Sequence, residues 1–289
     1  MRIFDFVSHN NKLIEINKRY ALADGWSPKD FCAIDFNDIL IQNIKDFQKK
    51  YNLSEDGIVG PSTYRRLKTE QEANEINLGK FIICNNNKIP IGWNKVVLFS
   101  DSNGLSLPTS KKSLTRIPTM FVVHYDVCLS SKSCFQVLKD RNLSVQFLIE
   151  NDGTIYQLMD AQHIAQHAKG VNDVSIGVEI SNAFYEKFNK TYVQMGLPPR
   201  PVISNSFVHG QKIEPHLGFY DVQVQALKSL CKAICLAYPT ISLKTPQETK
   251  VQPDVVAKKY SGIIGHYHVT KEKIDPIGLD LIKIVDDIK

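Results

Sequence analysis

The sequence lacks several patterns that would assign a protein to a specialised class. Its 35 Lys+Arg and 30 Asp+Glu nearly cancel to a formal net charge of +5, and no run of Lys or Arg exceeds two residues. Such weak, scattered charge argues against a nucleic-acid-binding surface. No apolar stretch approaches the roughly 18 residues that span a bilayer, so we expect no membrane insertion. The opening residues lack the apolar h-region of a signal peptide, and none is predicted.

The overall composition is that of an ordinary globular protein. Hydrophobic residues make up 43% and charged residues 22% of the 289 positions, with 15 Gly and 13 Pro. This balance excludes a disordered or fibrous chain. The length suits one large domain together with a small one, and we expect two.

The first part of the chain reads as helices joined by tight turns. Ile44 and Phe47 recur at helical spacing, which predicts an amphipathic helix over about 37–52. Asp56-Gly57 is a turn signal, and Pro61 is typical of the first position of a helix. The predicted order is therefore helix, tight loop and helix.

This segment carries a specific resemblance. FQKKYNLSEDGIVGPSTYRRL resembles the second half of the small three-helix peptidoglycan-binding domain, through the pattern F-Q-x-x-x-x-L-x-x-D-G-I-V-G-P-x-T. The resemblance implies an all-α wall-binding domain over residues 1–72. A generic helical hairpin used as a spacer is the alternative. Residues 73–115 then form a linker with short lead-in strands, FIIC and VVLF.

The larger remaining part alternates short apolar runs with a helical pattern. A helix beginning at Asp221 places apolar residues on one face, which predicts packing against a core. Strands with helices packed on them indicate the α/β or α+β class. The predicted strands are TMFVVHYD, QFLIE, TIYQLMD, VSIGVEIS and SGIIGHYHV.

Three of the residues at or beyond the ends of these strands are metal-ligand types. A catalytic zinc site commonly has three protein ligands and one open position. The HExxH motif is absent, but His124 ends one strand, His266 ends another, and Asp275 lies in the loop KIDPIG. Such residues can converge at one edge of a sheet, so we hypothesise a zinc site there.

Four motifs then resemble one family in the family's order. FVVHYDV, ENDGTIYQLMD, HAKGVNDVSIGVEISN and GHYHVTKEKIDP are similar to segments of the zinc-dependent N-acetylmuramoyl-L-alanine amidases, whose fold is shared with peptidoglycan recognition proteins. The resemblance implies an α/β domain over residues 116–289, with a central mixed sheet flanked by helices and an insertion at 183–220. It also implies a Zn²⁺-dependent hydrolase of bacterial peptidoglycan that cuts between N-acetylmuramic acid and L-alanine.

Carried over residue by residue, the resemblance assigns the chemistry. His124, His266 and Asp275 would hold zinc, Glu179 would transfer protons, and Lys273 would stabilise the developing oxyanion. His268 is a rival to His266, because in a continuing strand the two side chains would point the same way.

The resemblance also implies substrate contacts beside the metal. For His167, a structural hydrogen bond or metal binding stays open as an alternative. The residues predicted to contact substrate are His167, Lys169, Asn172 and Tyr125.

Two features remain open. The aromatic residues of 183–220 suit either a lid or groove wall that stacks on substrate or a packed surface excursion. We expect His209 and His216, within it, to face solvent. Cys128 and Cys134 have the spacing of a disulfide in animal peptidoglycan recognition proteins, but in a protein made in the cytosol we expect two free thiols.

The lack of a predicted export signal favours a phage lysin, either an endolysin or a virion-associated enzyme with virion proteins as partners, over a housekeeping bacterial hydrolase. Such a protein would be made in the bacterial cytoplasm and would act on the wall after release or as part of a virion. The alternative function is a non-catalytic recognition module or structural virion module of the same fold.

Overall fold

The computed structural model describes residues 3–78, 80–108 and 115–289, without the side chains of 3–9 and 71–78. The chain forms two compact units, Met1–Leu78 and Gly79–Lys289. The domain boundary predicted at residue 72 lies inside a helix that continues to Leu78. Each unit is described below by itself.

The first unit is all-α, as the sequence predicts. The Asn37 side chain accepts a hydrogen bond from the Leu40 amide (3.1 Å) and so caps the second helix. Leu40 and Ile44 of that helix pack in a core with Trp26, Phe31, Val59 and Leu67. The helices are α1 (Ile3–Asp24), α2 (Asp38–Lys50) and α3 (Pro61–Leu78), with a 3₁₀ turn at Pro28–Phe31.

Buried amide side chains brace the loop between α2 and α3. Gln48 donates to Thr63 Oγ1 (3.0 Å) and accepts from the Gly57 amide (2.9 Å). Asn17 donates to the Gly57 carbonyl (2.8 Å) and accepts from the Val59 amide (2.9 Å). Gly57 has a φ of 73°, which favours glycine. The D-G-I-V-G pattern therefore encodes a loop held by side chains rather than a flexible spacer.

The second unit is built on a six-stranded sheet, whose strands are β3 (Val96–Leu98), β4 (Met120–Tyr125), β5 (Phe147–Ile149), β6 (Ile155–Gln157), β7 (Ser175–Ile180) and β12 (Gly262–Gly265). Their order across the sheet is β12-β4-β7-β5-β6-β3. Only β5 and β6 within it pair antiparallel, so the sheet is mixed, which confirms the predicted fold class. Outside it lie β1 (Phe81–Cys84), β2 (Asn87–Pro90), β8 (Val202–Ile203), β9 (Ser206–Val208), β10 (Gln211–Ile213) and β11 (His216–Leu217).

Helices cover both faces of the sheet. On one face, Leu227 and Ile234 pack with Phe121 and Val178. On the other, Val255 packs with Met120 and Val122, so β4 is buried throughout, as expected of a central parallel strand. No helix among the described residues is long and apolar enough to cross a bilayer. The helices of this unit are α4 (Ser131–Asp140), α5 (Asn189–Gln194), α6 (Asp221–Ala237), α7 (Pro253–Val256) and α8 (Leu281–Asp286).

The 183–220 insertion is folded around a buried arginine. The Arg200 guanidinium donates to the carbonyls of Gly218 (3.0 Å) and Ser181 (2.8 Å) and to the side chain of Asn151. It lies over the rings of Tyr192 and Tyr220, 4.5 and 4.2 Å from their centroids. Two antiparallel pairs, β8 with β11 and β9 with β10, complete the segment. The insertion is therefore anchored to the end of β7.

Candidate functional site

The register of the sheet brings three chain segments to one edge. β4 runs parallel to β7 and β12, so the carboxyl ends of the three strands lie together. His124 is the direct partner of Glu179, which places both side chains on the same face. Gly265 pairs with Val123, so His266 follows beside His124. Strand pairing thus makes these residues neighbours in space although they are far apart in the sequence.

His124, His266 and Asp275 each place one potential metal-ligand atom at the corner of a tight triangle. The distances are 3.0 Å from His124 Nδ1 to His266 Nδ1, 3.0 Å from His124 Nδ1 to Asp275 Oδ2, and 3.0 Å from His266 Nδ1 to Asp275 Oδ2. All three residues are buried. The structure thus brings together the three residues predicted to bind metal.

The ionisation of the triangle suits a cation. Burial, with help from His266, lowers the pKa of His124 to about 4, so its imidazole is neutral at pH 7. Burial acts to raise the pKa of Asp275, but hydrogen bonds from His124 and His266 outweigh it and hold that pKa well below its usual range. The triangle therefore presents neutral imidazole and an ionised carboxylate.

Protons alone cannot satisfy this triangle. If both Nδ1 atoms carry hydrogen, the two hydrogens face each other across 3.0 Å; if one lacks it, its lone pair faces the Asp275 carboxylate. A cation inside the triangle removes this conflict. Two imidazole nitrogens and one carboxylate oxygen are a donor set that zinc accepts, with a further position left open. The residues therefore fit the zinc that the sequence predicts.

A second group of ligand-type side chains follows β4. Single ligand atoms of Asp126, Cys128 and Cys134 lie within 4.8 Å of one another. The Asp126 carboxylate already accepts hydrogen bonds from the amides of Cys128 (2.8 Å) and Asn182 (3.0 Å). Both cysteines are free thiols in the structure, so the disulfide is not formed. The engaged carboxylate makes this group the poorer candidate for zinc.

Glu179 and Lys273 lie at the same edge. Within the described part of the chain, Glu179 Oε2 is buried without a hydrogen-bond partner. Burial, followed by Asp275 and Asp126, raises the pKa of Glu179 well above its usual value, and Lys273 opposes the rise. Lys273 also acts to lower the pKa of His124, so its ammonium lies within electrostatic range of both groups. The predicted proton carrier and the predicted cation therefore lie near the triangle.

His268 does not compete for the triangle. The predicted strand through Val269 is wrong, because β12 ends at Gly265 and a 3₁₀ turn follows at His266–His268. His268 Nδ1 accepts from the Gly265 amide (3.0 Å), and its Nε2 donates to the Glu248 carbonyl (2.9 Å). The turn thus directs the two histidines to different partners.

Sequence comparison identifies the family. Residues 114–278, more than half of the 289, match the family described as N-acetylmuramoyl-L-alanine amidase. The chain belongs to the N-acetylmuramoyl-L-alanine amidase family. Residues 35–67 match a peptidoglycan binding domain family. No curated protein sequence matches the chain.

Several solved structures resemble part of this amidase-family chain. AmpDH3 from Pseudomonas aeruginosa, in complex with an anhydromuramic pentapeptide, is 21% identical over 65% of each chain, with a TM-score of 0.41. This chain thus spans just under two thirds of that protein. LysC from Clostridium intestinale is 17% identical over 67% of this chain and 97% of its own, with a TM-score of 0.39. The Ph2119 endolysin of a Thermus scotoductus bacteriophage is 15% identical over 67% and 98%, with a TM-score of 0.37.

His167 lies behind a candidate ligand of this amidase-family site. Its Nδ1 is 3.1 Å from His124 Nε2, and its Nε2 is 3.4 Å from Ser175 Oγ. A Cβ on Gly177 would come within 2.6 Å of His167 Nδ1, so only glycine leaves room for the ring. Burial, then His124, holds the pKa of His167 well below its usual value. Both ring nitrogens therefore have neighbours inside the protein.

The other predicted substrate contacts occupy different surroundings. Asn172 Oδ1 accepts from the amides of His167 (3.1 Å) and Ala168 (2.7 Å) and so shapes the loop. Lys169 is exposed on that loop. Tyr125 leaves β4 on the face opposite His124 and is 7% exposed. Substrate binding by these residues stays a prediction.

The two histidines of the insertion, which the sequence predicts to face solvent, have other surroundings in the structure. His216 is fully buried rather than facing solvent, and its ring stacks on Phe184 with centroids 5.2 Å apart. His209 is half-buried, and its Nε2 donates to the Lys273 carbonyl (2.9 Å). His209 and Gly210 have φ values of 53° and 76°, as in a tight hairpin turn between β9 and β10. A His-Gly pair between two short apolar runs is the sequence pattern that could have indicated this hairpin turn.

Proposed function

We propose that this protein is a zinc-dependent peptidoglycan amidase that hydrolyses the bond between the lactyl group of N-acetylmuramic acid and L-alanine. The triangle of His124, His266 and Asp275, with each pair of donor atoms 3.0 Å apart, carries the proposal. Glu179, in register beside His124, supports it. Membership of the amidase family supports the choice of bond.

Three residues at the edge of the sheet would bind the zinc ion. Zinc bound there would act as a Lewis acid and lower the pKa of a water molecule. His124 and His266 would bind it through Nδ1 as neutral imidazoles, and Asp275 as a carboxylate. Their burial keeps competing water away and strengthens each electrostatic interaction.

Glu179 would transfer the proton, and Lys273 would stabilise the negative charge that develops during the reaction. A cation nearby favours the ionised form of Glu179 and counters its raised pKa. Glu179 would then take a proton from the attacking water at a carboxylate oxygen and return it to the leaving amine nitrogen. The Lys273 ammonium would stabilise the negative charge that develops on the scissile carbonyl oxygen.

His167 would orient His124 within this machinery. An Nε2–H of His124 donating to His167 Nδ1 fixes the tautomer that leaves His124 Nδ1 free for metal. We therefore assign His167 a positioning role in place of the substrate contact. Lys169 and Tyr125 remain candidates for that contact.

The pairing of the two units supports action on intact cell walls. The match over residues 35–67 implies that the helical unit binds peptidoglycan and brings the amidase unit to its substrate. We propose that the protein serves as a phage lysin, either an endolysin or a virion-associated enzyme. Addition of the purified protein to bacterial cells with a permeabilised outer layer is expected to lower their turbidity.

Mass spectrometry of purified peptidoglycan tests the proposed bond. Sacculi are incubated with zinc-loaded protein, with the Glu179→Ala variant, and with protein treated with a chelator. Free stem peptides beginning with L-alanine are expected only from the zinc-loaded parent. If the sacculi stay intact while the protein still pellets with them, the protein is a non-catalytic recognition module and the proposal is wrong.

A further inference from the structure

An aromatic cluster of the insertion borders the candidate site. Phe184 stacks on Tyr125, with ring centroids 5.2 Å apart and an interplanar angle of 18°. On its other side Phe184 stacks on the buried His216, at 5.2 Å and 13°. Tyr185 meets Phe184 edge-on at 5.2 Å. The rings thus form one packed row that begins at the residue following His124.

The backbone at Phe184 is held in a strained form. Its φ is 64°, and the Tyr185 amide donates to the Ala183 carbonyl (2.7 Å) across it, which makes a tight three-residue turn. An aromatic residue rarely adopts this conformation. The Leu217 amide donates to the Phe184 carbonyl (2.7 Å) and helps to hold the turn. Such strain persists only where the surroundings enforce it, and it concentrates at functional sites.

The strained turn presents Tyr185 to solvent. Tyr185 is 53% exposed, although its neighbours Ala183 and His216 are buried. Its backbone bridges to His216, and its carbonyl accepts from the Phe188 amide (3.0 Å). An exposed aromatic ring on a backbone fixed at both sides is therefore preorganised to receive a flat, partly apolar ligand.

The row of rings lies at the sheet edge that carries the triangle, because Tyr125 directly follows His124 in β4 and Phe184 follows the end of β7. Lys187 adds a cation, with Nζ 5.6 Å from the Tyr185 ring centroid and 5.2 Å from that of Phe188. The exposed ring therefore has a charged hydrogen-bond donor beside it.

We propose that Tyr185, supported by Phe184 and flanked by Lys187, is a carbohydrate subsite that stacks on a pyranose ring of the peptidoglycan glycan strand. The apolar C–H face of a pyranose covers an aromatic face, and its hydroxyl or acetamido oxygens can accept hydrogen bonds from the Lys187 ammonium. Because the bond proposed for cleavage joins a sugar substituent to a peptide, a sugar must lie beside the triangle. The subsite in this respect rests on the proposed function.

Saturation-transfer NMR on the full chain tests the subsite without requiring hydrolysis. The probe is the peptide-free disaccharide of N-acetylglucosamine and N-acetylmuramic acid, and a free stem tripeptide is titrated separately. Tyr185→Ala is expected to weaken binding of the disaccharide about tenfold, the size of a lost aromatic contact. Tyr185→Phe keeps the ring and is expected to stay within about twofold of the parent. Any binding by the helical unit is the same in all variants and does not contribute to the difference.

Phe207→Ala is the matched control, because Phe207 is a 50% exposed aromatic residue of the same insertion that lies in the β9–β10 hairpin. It is expected to bind the disaccharide as the parent does. Thermal melting of each variant verifies that the substitutions leave the fold intact.

The outcomes separate the subsite from the proposed function. Unchanged disaccharide binding by Tyr185→Ala overturns the subsite, as does a loss confined to the stem tripeptide. If the parent hydrolyses soluble muropeptide, Tyr185→Ala is expected to raise KM about tenfold with kcat unchanged. If the parent hydrolyses nothing but binds the disaccharide through Tyr185, the subsite stands and the proposed function fails.

Discussion

The two sides of the candidate site are built by different means. On one side, His124, Glu179 and His266 come from the ends of paired parallel strands, and strand register sets their positions. On the other, Phe184 and His209 belong to an insertion held by side-chain hydrogen bonds and ring stacking. The comparison indicates that strand register positions the residues of the proposed chemistry, whereas side-chain contacts hold the insertion beside them. Substitutions on the two sides should therefore affect different measurements.

Glu179→Gln should have the largest effect on activity, since it removes the proposed proton carrier from the sheet side. We expect kcat to fall by about 10²- to 10⁴-fold with little change in zinc affinity. Steady-state hydrolysis of soluble muropeptide, with zinc content measured in parallel, provides the check. Activity within a few-fold of the parent would contradict the role of Glu179.

The same substitution should stabilise the metal-free protein. The pKa of Glu179 is raised in the folded state, so between the ordinary Glu pKa of about 4.3 and the folded value the folded state binds more protons than the unfolded state. Its contribution to the free energy of unfolding is therefore lost as pH rises. The stability advantage of Glu179→Gln should grow from pH 4 to pH 7 in thermal melts, whereas a pH-independent difference would contradict burial of the carboxylate.

His167→Ala should weaken zinc binding, because it removes the neighbour of His124 Nε2. Loss of such an orienting partner lowers metal affinity by about 10- to 100-fold. Competition with a chromophoric chelator measures the affinity. His163→Ala, at a half-buried histidine of the same segment, is the control and should match the parent. Equal affinity in His167→Ala and the control would remove the positioning role.

Arg200→Lys should destabilise the insertion side. A lysine supplies three donors and no planar fork, so some of the acceptors around Arg200 are left buried without a partner. We expect a loss of about 2 kcal/mol in the free energy of unfolding, measured by denaturant titration. Zinc affinity should stay unchanged, and Arg141→Lys, at an exposed arginine, should alter neither. A fall in zinc affinity would show that the two sides are not separate.

His209→Ala should have the smallest effect, because it removes one hydrogen bond to the Lys273 carbonyl. The hydrogen bond is worth about 1 kcal/mol. If all of it serves to hold Lys273 in place for the reaction, its loss lowers kcat roughly fivefold, with KM little changed. His209→Asn separates the contact from the turn, since asparagine accepts the left-handed backbone but is shorter. An Asn variant as active as the parent would attribute the loss to turn strain.

The sheet side was predictable because its determinants are local. Short apolar runs bounded by turn residues indicate β4, β7 and β12, and metal-ligand residues at strand ends draw attention to one edge. The change from strand to 3₁₀ turn after Gly265 was not predictable, since the apolar pattern continues to Val269. The separation of His266 from His268 depends on backbone hydrogen bonds that sequence does not display.

The insertion was less predictable because it has no periodicity. Burial of His216 depends on stacking with Phe184, and burial of Arg200 depends on carbonyls from distant segments. These contacts are long-range and lie outside any hydrophobic pattern. His167 illustrates an intermediate case: its motif marks the site, but only the structure shows the ring packed between Gly177 and His124.

Zinc K-edge absorption spectroscopy of the zinc-loaded protein tests the central claim most directly. Residues 3–78, 80–108 and 115–289, as far as their side chains are described, offer two groups of ligand atoms: the nitrogen and oxygen triangle of His124, His266 and Asp275, and the sulfur-containing group of Asp126, Cys128 and Cys134. We predict a shell of nitrogen and oxygen ligands at about 2.0–2.2 Å with imidazole scattering and no sulfur. A sulfur shell near about 2.3 Å, retained in His124→Ala, would place zinc at the cysteines and contradict the assignment.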